Sequence, residues 1–165
     1  MRIRLFAAAL VLAACCAGCD RGEHPQQLNT PAPMFAVADA HHSFDLSKER
    51  GHLVLLNFWA SWCAPCLEEL PSMEALHQQL PQLEMVGVSF DEDTTAYQNF
   101  VDMHHVGFLT VVDPEQRVNT MYGTFRPPES YVIDQHGMVR RKFIGAQDWS
   151  SPNMVDYFRK LMAQK

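Results

Sequence analysis

Residues 53–59, LVLLNFW, read as a continuous apolar run, and four residues later the chain presents Cys63-Ala64-Pro65-Cys66. Such a run suits a strand buried on both faces, because a strand with one solvated face would alternate. From Cys63 to about Leu80, Leu67, Leu70, Met73, Leu76, His77 and Leu80 recur at spacings of three and four, which predicts a helix. Pro71 falls inside it and should kink it by removing a backbone donor. The cysteine pair therefore stands where a buried strand passes into a helix. Leu83–Phe90 reads as a second buried strand. Two parallel neighbours need a crossover, and the Cys63–Leu80 helix supplies it.

The remaining pattern extends this arrangement. Thr94–Met103 is expected to be helical, with Tyr97, Phe100 and Val101 on one side. Leu109–Val112 reads as a short strand and Glu115–Tyr122 as a short helix. Ser130–Ile133 and Met138–Ile144 form a hairpin joined at Gly137. Ser151 can cap a last helix that Pro152 begins, with Val155, Phe158, Leu161 and Met162 on its apolar face. Upstream, Phe35–Ala38 and Ser43–Leu46 suggest a hairpin around Asp39–His42. The expected class is α/β, a mixed sheet flanked by helices with an N-terminal β-hairpin extension. A chain of 165 residues implies one folded domain, placed at 34–165.

Three of the five cysteines, Cys15, Cys16 and Cys19, crowd the N-terminus, which excludes a disulfide scaffold spread through the fold. Arg2 and Arg4 precede an apolar run from Leu5 to Ala14, too short to span a bilayer. Residues 1–14 have the anatomy of an export signal. Leu12-Ala13-Ala14-Cys15 resembles a bacterial lipobox, which implies lipidation of Cys15; Cys19 is the rival position. Residues 20–33 hold three prolines and one aliphatic side chain, Leu28. Residues 15–33 are accordingly expected to be a flexible tether, of which the last 14 residues could reach roughly 50 Å at about 3.5 Å each. Lys plus Arg total 13 against 19 Asp plus Glu, so the basic footprint of a nucleic-acid binder is missing. Export places the Cys63/Cys66 pair in an oxidising compartment, where it needs a dedicated redox role.

A cysteine at a helix start meets unpaired N–H groups and the positive end of the helix dipole, which favour the thiolate. Only the thiolate attacks a disulfide. Cys66, nearly one turn on and expected to be more buried, would resolve the mixed disulfide. A metal-binding module is an alternative, but zinc needs two further ligands and there is no second C-x-x-C. His41-His42 and His104-His105 are expected in exposed loops. A peroxidase would want Pro seven residues, and Thr or Ser three residues, before the attacking cysteine; those positions are Leu56 and Ala60.

The run Asn57-Phe58-Trp59-Ala60-Ser61-Trp62-Cys63-x-Pro65-Cys66-x-x-Glu69-x-Pro71 resembles the active site of the thioredoxin superfamily, in its exported TlpA/ResA-like branch. The resemblance implies a thioredoxin fold and a Cys63/Cys66 pair cycling between dithiol and disulfide. It implies that Glu69 sits beneath the pair as a proton acceptor, with Glu68 solvated. It makes Pro128 of Phe125-Arg126-Pro127-Pro128-Glu129-Ser130-Tyr131 the cis-proline opposite the cysteines. Pro127 would then offer a client its carbonyl but no N–H, shifting recognition to Trp62 and Arg126. The expected activity is reduction of disulfides in exported clients, cytochrome c maturation among them, by a monomer recharged by a membrane electron donor. An oxidase or isomerase is the nearer alternative. No cofactor or metal is expected.

Overall fold

The computed structural model describes residues 28–164. Its elements follow the expected order: β1 (Ala36–Ala38), β2 (Ser43–Asp45), β3 (Val54–Trp59), α1 (Ala64–Gln79), β4 (Glu84–Ser89), α2 (Thr94–His104), β5 (Leu109–Val112), α3 (Arg117–Tyr122), β6 (Glu129–Ile133), β7 (Val139–Ile144) and α4 (Pro152–Met162). β1 and β2 form the small antiparallel hairpin, and the other five strands form one sheet in the order β5-β4-β3-β6-β7. β3, β4 and β5 are parallel, while β6 and β7 run antiparallel to their neighbours. The sheet is therefore mixed, as expected, and α1 is the crossover between β3 and β4.

Every residue of β3 is buried, which accounts for its lack of alternation. Val54, Leu56 and Phe58 join Val86, Val88, Tyr122, Tyr131 and Ile133 in the core under β1, β2 and α3. Leu55 joins Leu70, Met73, Leu76, Val132, Phe143, Trp149 and Phe158 in the core under α1 and α4. Trp59 lies across Gly87: a Cβ there would meet Trp59 Nε1 at 2.8 Å. Only glycine leaves room for an indole that bonds Thr110 Oγ1 at 3.1 Å.

Register defines two ends of the sheet. Phe58, Glu129 and Ile144 are aligned at one end; Val54, Ile133 and Val139 are aligned at the other. The first end carries the cysteines. The second receives the N-terminal segment: Asn29 N donates to Val139 O, Val139 N to Thr30 O, and Ala32 N to Gly137 O. This departs from a tether running through residue 33, because backbone pairing with a strand edge needs no apolar side chains. Ala32 is buried by it. The proposed signal at 1–14, the lipidation position Cys15 and its rival Cys19 lie outside the described residues.

Three smaller expectations change. Leu67 is exposed rather than part of the α1 core face, because it falls at the margin of the stripe made by Cys66, Leu70 and Met73. Ser151 occupies the cap position of α4, but its hydroxyl turns back to Asp148 O instead of capping. His104 is half-buried, its ring 4.4 Å from that of Phe100, whereas His41, His42 and His105 are exposed as expected.

Candidate active site

The joint after β3 is held from both sides. Cys63 is the cap residue of α1, with extended backbone, and its Sγ accepts the Cys66 N–H at 3.2 Å. Pro65 occupies the first turn, where a missing N–H leaves nothing unsatisfied. Cys63 and Cys66 are joined as a disulfide. Both are 5% exposed, so Cys66 is not the more buried partner that the sequence led one to expect. What separates them is position: Cys63 Sγ receives a helix-end N–H, that of Cys66, which also reaches Cys63 O at 3.1 Å.

The loop before Cys63 is pinned by a carboxylate no motif identified. Buried Asp91, just past β4, accepts from Ser61 N at 2.9 Å, Ser61 Oγ at 2.6 Å and Ser89 Oγ at 2.6 Å. Asp91→Ala should lower folding stability by about 2 kcal/mol, the scale of hydrogen bonds to a charged group. It should also speed hydrogen exchange at the Ser61 amide. Denaturant titration and exchange NMR check both, and a protected Ser61 amide would speak against the clamp.

Behind the cysteines, Glu69 is 3% exposed. Its Oε1 accepts from Asn57 Nδ2 at 3.0 Å, and Asn57 Nδ2 also reaches Ser130 Oγ at 2.9 Å. Its Oε2 accepts from Trp149 Nε1 at 3.0 Å and Gln147 N at 3.1 Å. Burial pushes the carboxyl above the ordinary glutamate range, against the opposing pull of the Trp149, Gln147 and Asn57 donors. Glu68 is exposed. A small apolar cleft lined by Asn57, Trp59, Cys66, Leu70, Met73 and Phe108 lies alongside.

Opposite the cysteines, the Pro127-Pro128 bond is cis, as the resemblance implied. Glu129 pairs with Phe58, so carrying the register one step further sets Pro128 beside Trp59. Pro128 O accepts Gly145 N at 2.9 Å, and Gly145 has a φ of +80°. Pro127 is half-buried and Arg126 exposed. Trp62 is 66% exposed and Phe125 72%, two large apolar side chains on the loops that carry Cys63 and Pro128. Among the described residues, no cluster of three or more His, Cys, Asp or Glu could hold a metal. No described helix is long and apolar enough to cross a membrane. Leu56 and Ala60, where a peroxidase pattern would need Pro and Thr or Ser, are both fully buried.

The AhpC/TSA family matches residues 28–142. The chain belongs to that family. Thiol-disulfide oxidoreductase ResA of Bacillus anthracis is 32% identical over 138 residues, covering 82% of this chain and 79% of the relative. Thioredoxin-like protein YneN of Bacillus subtilis is 32% identical over 119 residues, 69% of each chain. Among solved structures, a chain described as thiol:disulfide interchange protein DsbE of Chlorobium tepidum is 27% identical with a TM-score of 0.71, covering 82% of this chain and 94% of that one. With a cysteine pair at disulfide distance on a thioredoxin fold, the chain is a disulfide oxidoreductase of ResA/DsbE type.

Proposed function

We propose that the protein is exported, tethered to a membrane through a lipid on Cys15, and reduces disulfides of other exported proteins, those of cytochrome c maturation among them. The observation that carries the redox reading is Cys63 capping α1 with the Cys66 N–H on its sulfur, while buried Glu69 waits one turn behind Cys66. In the dithiol form, the Cys63 thiolate attacks one sulfur of a client disulfide and expels the other as thiolate. Cys66 then attacks Cys63 Sγ, the client leaves as a dithiol, and the Cys63–Cys66 disulfide forms. Two electrons pass to the client. A membrane electron donor returns them. Glu69 takes the Cys66 proton in the second step. Trp62, Arg126 and the Pro127 carbonyl face the client. The ResA relatives and the N-terminal sequence support the extracytoplasmic setting.

Insulin reduction with a measured potential tests the direction. A value near −270 mV supports a reductase, and one near −120 mV replaces it with an oxidant. Mass spectrometry of the mature N-terminus tests the lipid, and an unmodified product would remove the anchor.

Glu69→Gln should slow reduction and flatten its pH profile, while Glu68→Gln changes neither. It should also affect stability with a definite sign. Glu69 titrates higher when folded than its ordinary 4.5. Between those two values the folded protein binds the extra proton, so wild-type stability falls as pH rises through that window. Glu69→Gln removes the fall and should unfold later than wild type at pH 7. Parallel stability–pH curves for the two proteins would contradict this.

A further inference from the structure

The connection between β7 and α4 closes over Glu69 at several points. It starts at Gly145, whose N–H holds the Pro128 carbonyl. Two residues on, Gln147 N reaches Glu69 Oε2, and Trp149 Nε1 reaches the same oxygen. Trp149 N donates to Ser72 Oγ at 3.1 Å, and that hydroxyl approaches Glu69 O at 2.8 Å and Gln147 O at 3.2 Å. The Trp149 side chain is fully buried against Phe143 and Phe158, with centroids 5.1 and 6.3 Å away, so its N–H is aimed by packing.

We infer that Trp149 and Gln147 are positioning residues that set the proton affinity of Glu69, by occupying Oε2 with two N–H donors and directing its proton to Oε1. An indole N–H and a backbone N–H can only donate. Neither can turn to receive a proton, so Oε2 stays an acceptor in both charge states. On the other side, the Asn57 amide can turn to present Oδ1, and the Ser130 hydroxyl can reverse. Oε1–H would then donate to Asn57 Oδ1, with Ser130 Oγ–H donating to the same oxygen. The two fixed donors hold the anion against the burial that disfavours it, and the adaptable pair accepts the neutral form.

The ionisable surroundings leave this grip as the local control. Glu68 on α1 is exposed. Asp148 is exposed and turned to Ser150 N and Oγ. Glu129 on β6 alternates with Ser130 and pairs with Lys142 on β7. Cys66 titrates on the same helix only when the disulfide is open. The effect on the carboxyl rests on this geometry; its consequence for rate rests on the acid–base reading of Glu69.

The test separates the two. Glu69 is titrated by carboxyl ¹³C NMR in the disulfide form, where no active-site thiol contributes, for wild type and Trp149→Phe. Benzothienylalanine placed at 149 serves as a variant that keeps the indole shape and loses only the N–H. Both replacements should move the Glu69 titration upward by about one unit, a tenfold change in proton affinity. The pH profile of disulfide reduction should move with it. A Val139→Ala variant, a buried core change at the opposite end of the sheet that leaves Trp149 and its packing in place, should move neither. A Glu69 titration unchanged in both position-149 variants overturns the inference. A shifted titration with an unshifted rate profile upholds the grip on Glu69 and overturns the acid–base reading instead.

Discussion

Cys66→Ser is expected to arrest the protein in covalent complexes with its clients, whereas Cys63→Ser should form none and lose disulfide reduction down to the uncatalysed background. The two cysteines are equally buried, so accessibility does not order them. Helix geometry does. Cys63 stands at the cap, where its sulfur accepts the Cys66 N–H and faces the positive end of α1. Cys66 lies inside the first turn with its own N–H already spent on Cys63. The helix end therefore favours the thiolate on Cys63 over Cys66, and the thiolate is the attacking species. Without Cys66, the mixed disulfide on Cys63 has no internal nucleophile and persists. Without Cys63, the Cys66 thiol lacks both the stabilised charge and the first contact with the client. Non-reducing electrophoresis after incubation with oxidised insulin distinguishes the variants. Equal trapping by both would reverse or abolish the assigned order.

The elements and the cysteine pair were legible because they rest on local signals. The apolar run of β3, the three-and-four spacing of α1, the Gly137 turn and the Ser-Pro start of α4 each determine a few neighbouring residues. The boundaries of β5 coincide with the reading. What escaped depends on partners far apart in the chain. Trp149 meets Glu69 across 80 positions and Gln147 across 78, and no local pattern brings those groups together. Asn57 did carry a trace, as the one amide inside an otherwise apolar strand; buried amides need partners, and its partners are Glu69 and Ser130. Asp91 sits in an unremarkable acidic stretch, Asp91-Glu92-Asp93, and only the fold shows which of the three faces inward. The docking of residues 29–32 escaped for the opposite reason. Backbone pairing leaves no side-chain signature, so a proline-rich segment read as a tether in full.

Lys142→Met is expected to be strongly destabilising. Lys142 Nζ lies 2.8 Å from Glu129 Oε2, with side chains only 6% and 10% exposed. The contact is charge on charge more than an aligned hydrogen bond, and the ammonium also sits 5.1 Å over the Tyr131 ring. Thr124 Oγ1 donates to the same Glu129 oxygen at 2.7 Å. Burial alone would push the lysine down, but Glu129 and Tyr131 outweigh it and hold it above the ordinary lysine range. Methionine fills the volume and removes the charge, leaving the Glu129 carboxylate buried with a single hydroxyl. Breaking a buried pair from one side typically destabilises by about 3–5 kcal/mol, a large part of the roughly 5–15 kcal/mol that holds a domain folded. The pair itself need not be a net gain, so Lys142→Met with Glu129→Gln should recover most of the loss. The pH dependence has a fixed sign. A lysine raised on folding contributes fully below its unfolded value of 10.5 and loses that contribution as pH rises through the higher folded value. The gap between wild type and Lys142→Met should therefore be flat across neutral pH and narrow only in strong alkali. Urea midpoints at pH 7 and above pH 10.5 measure it. A loss under about 1 kcal/mol at pH 7 would mean that water already reaches Glu129 and that this corner of β6 and β7 is not the dry support behind Pro128 that its burial indicates.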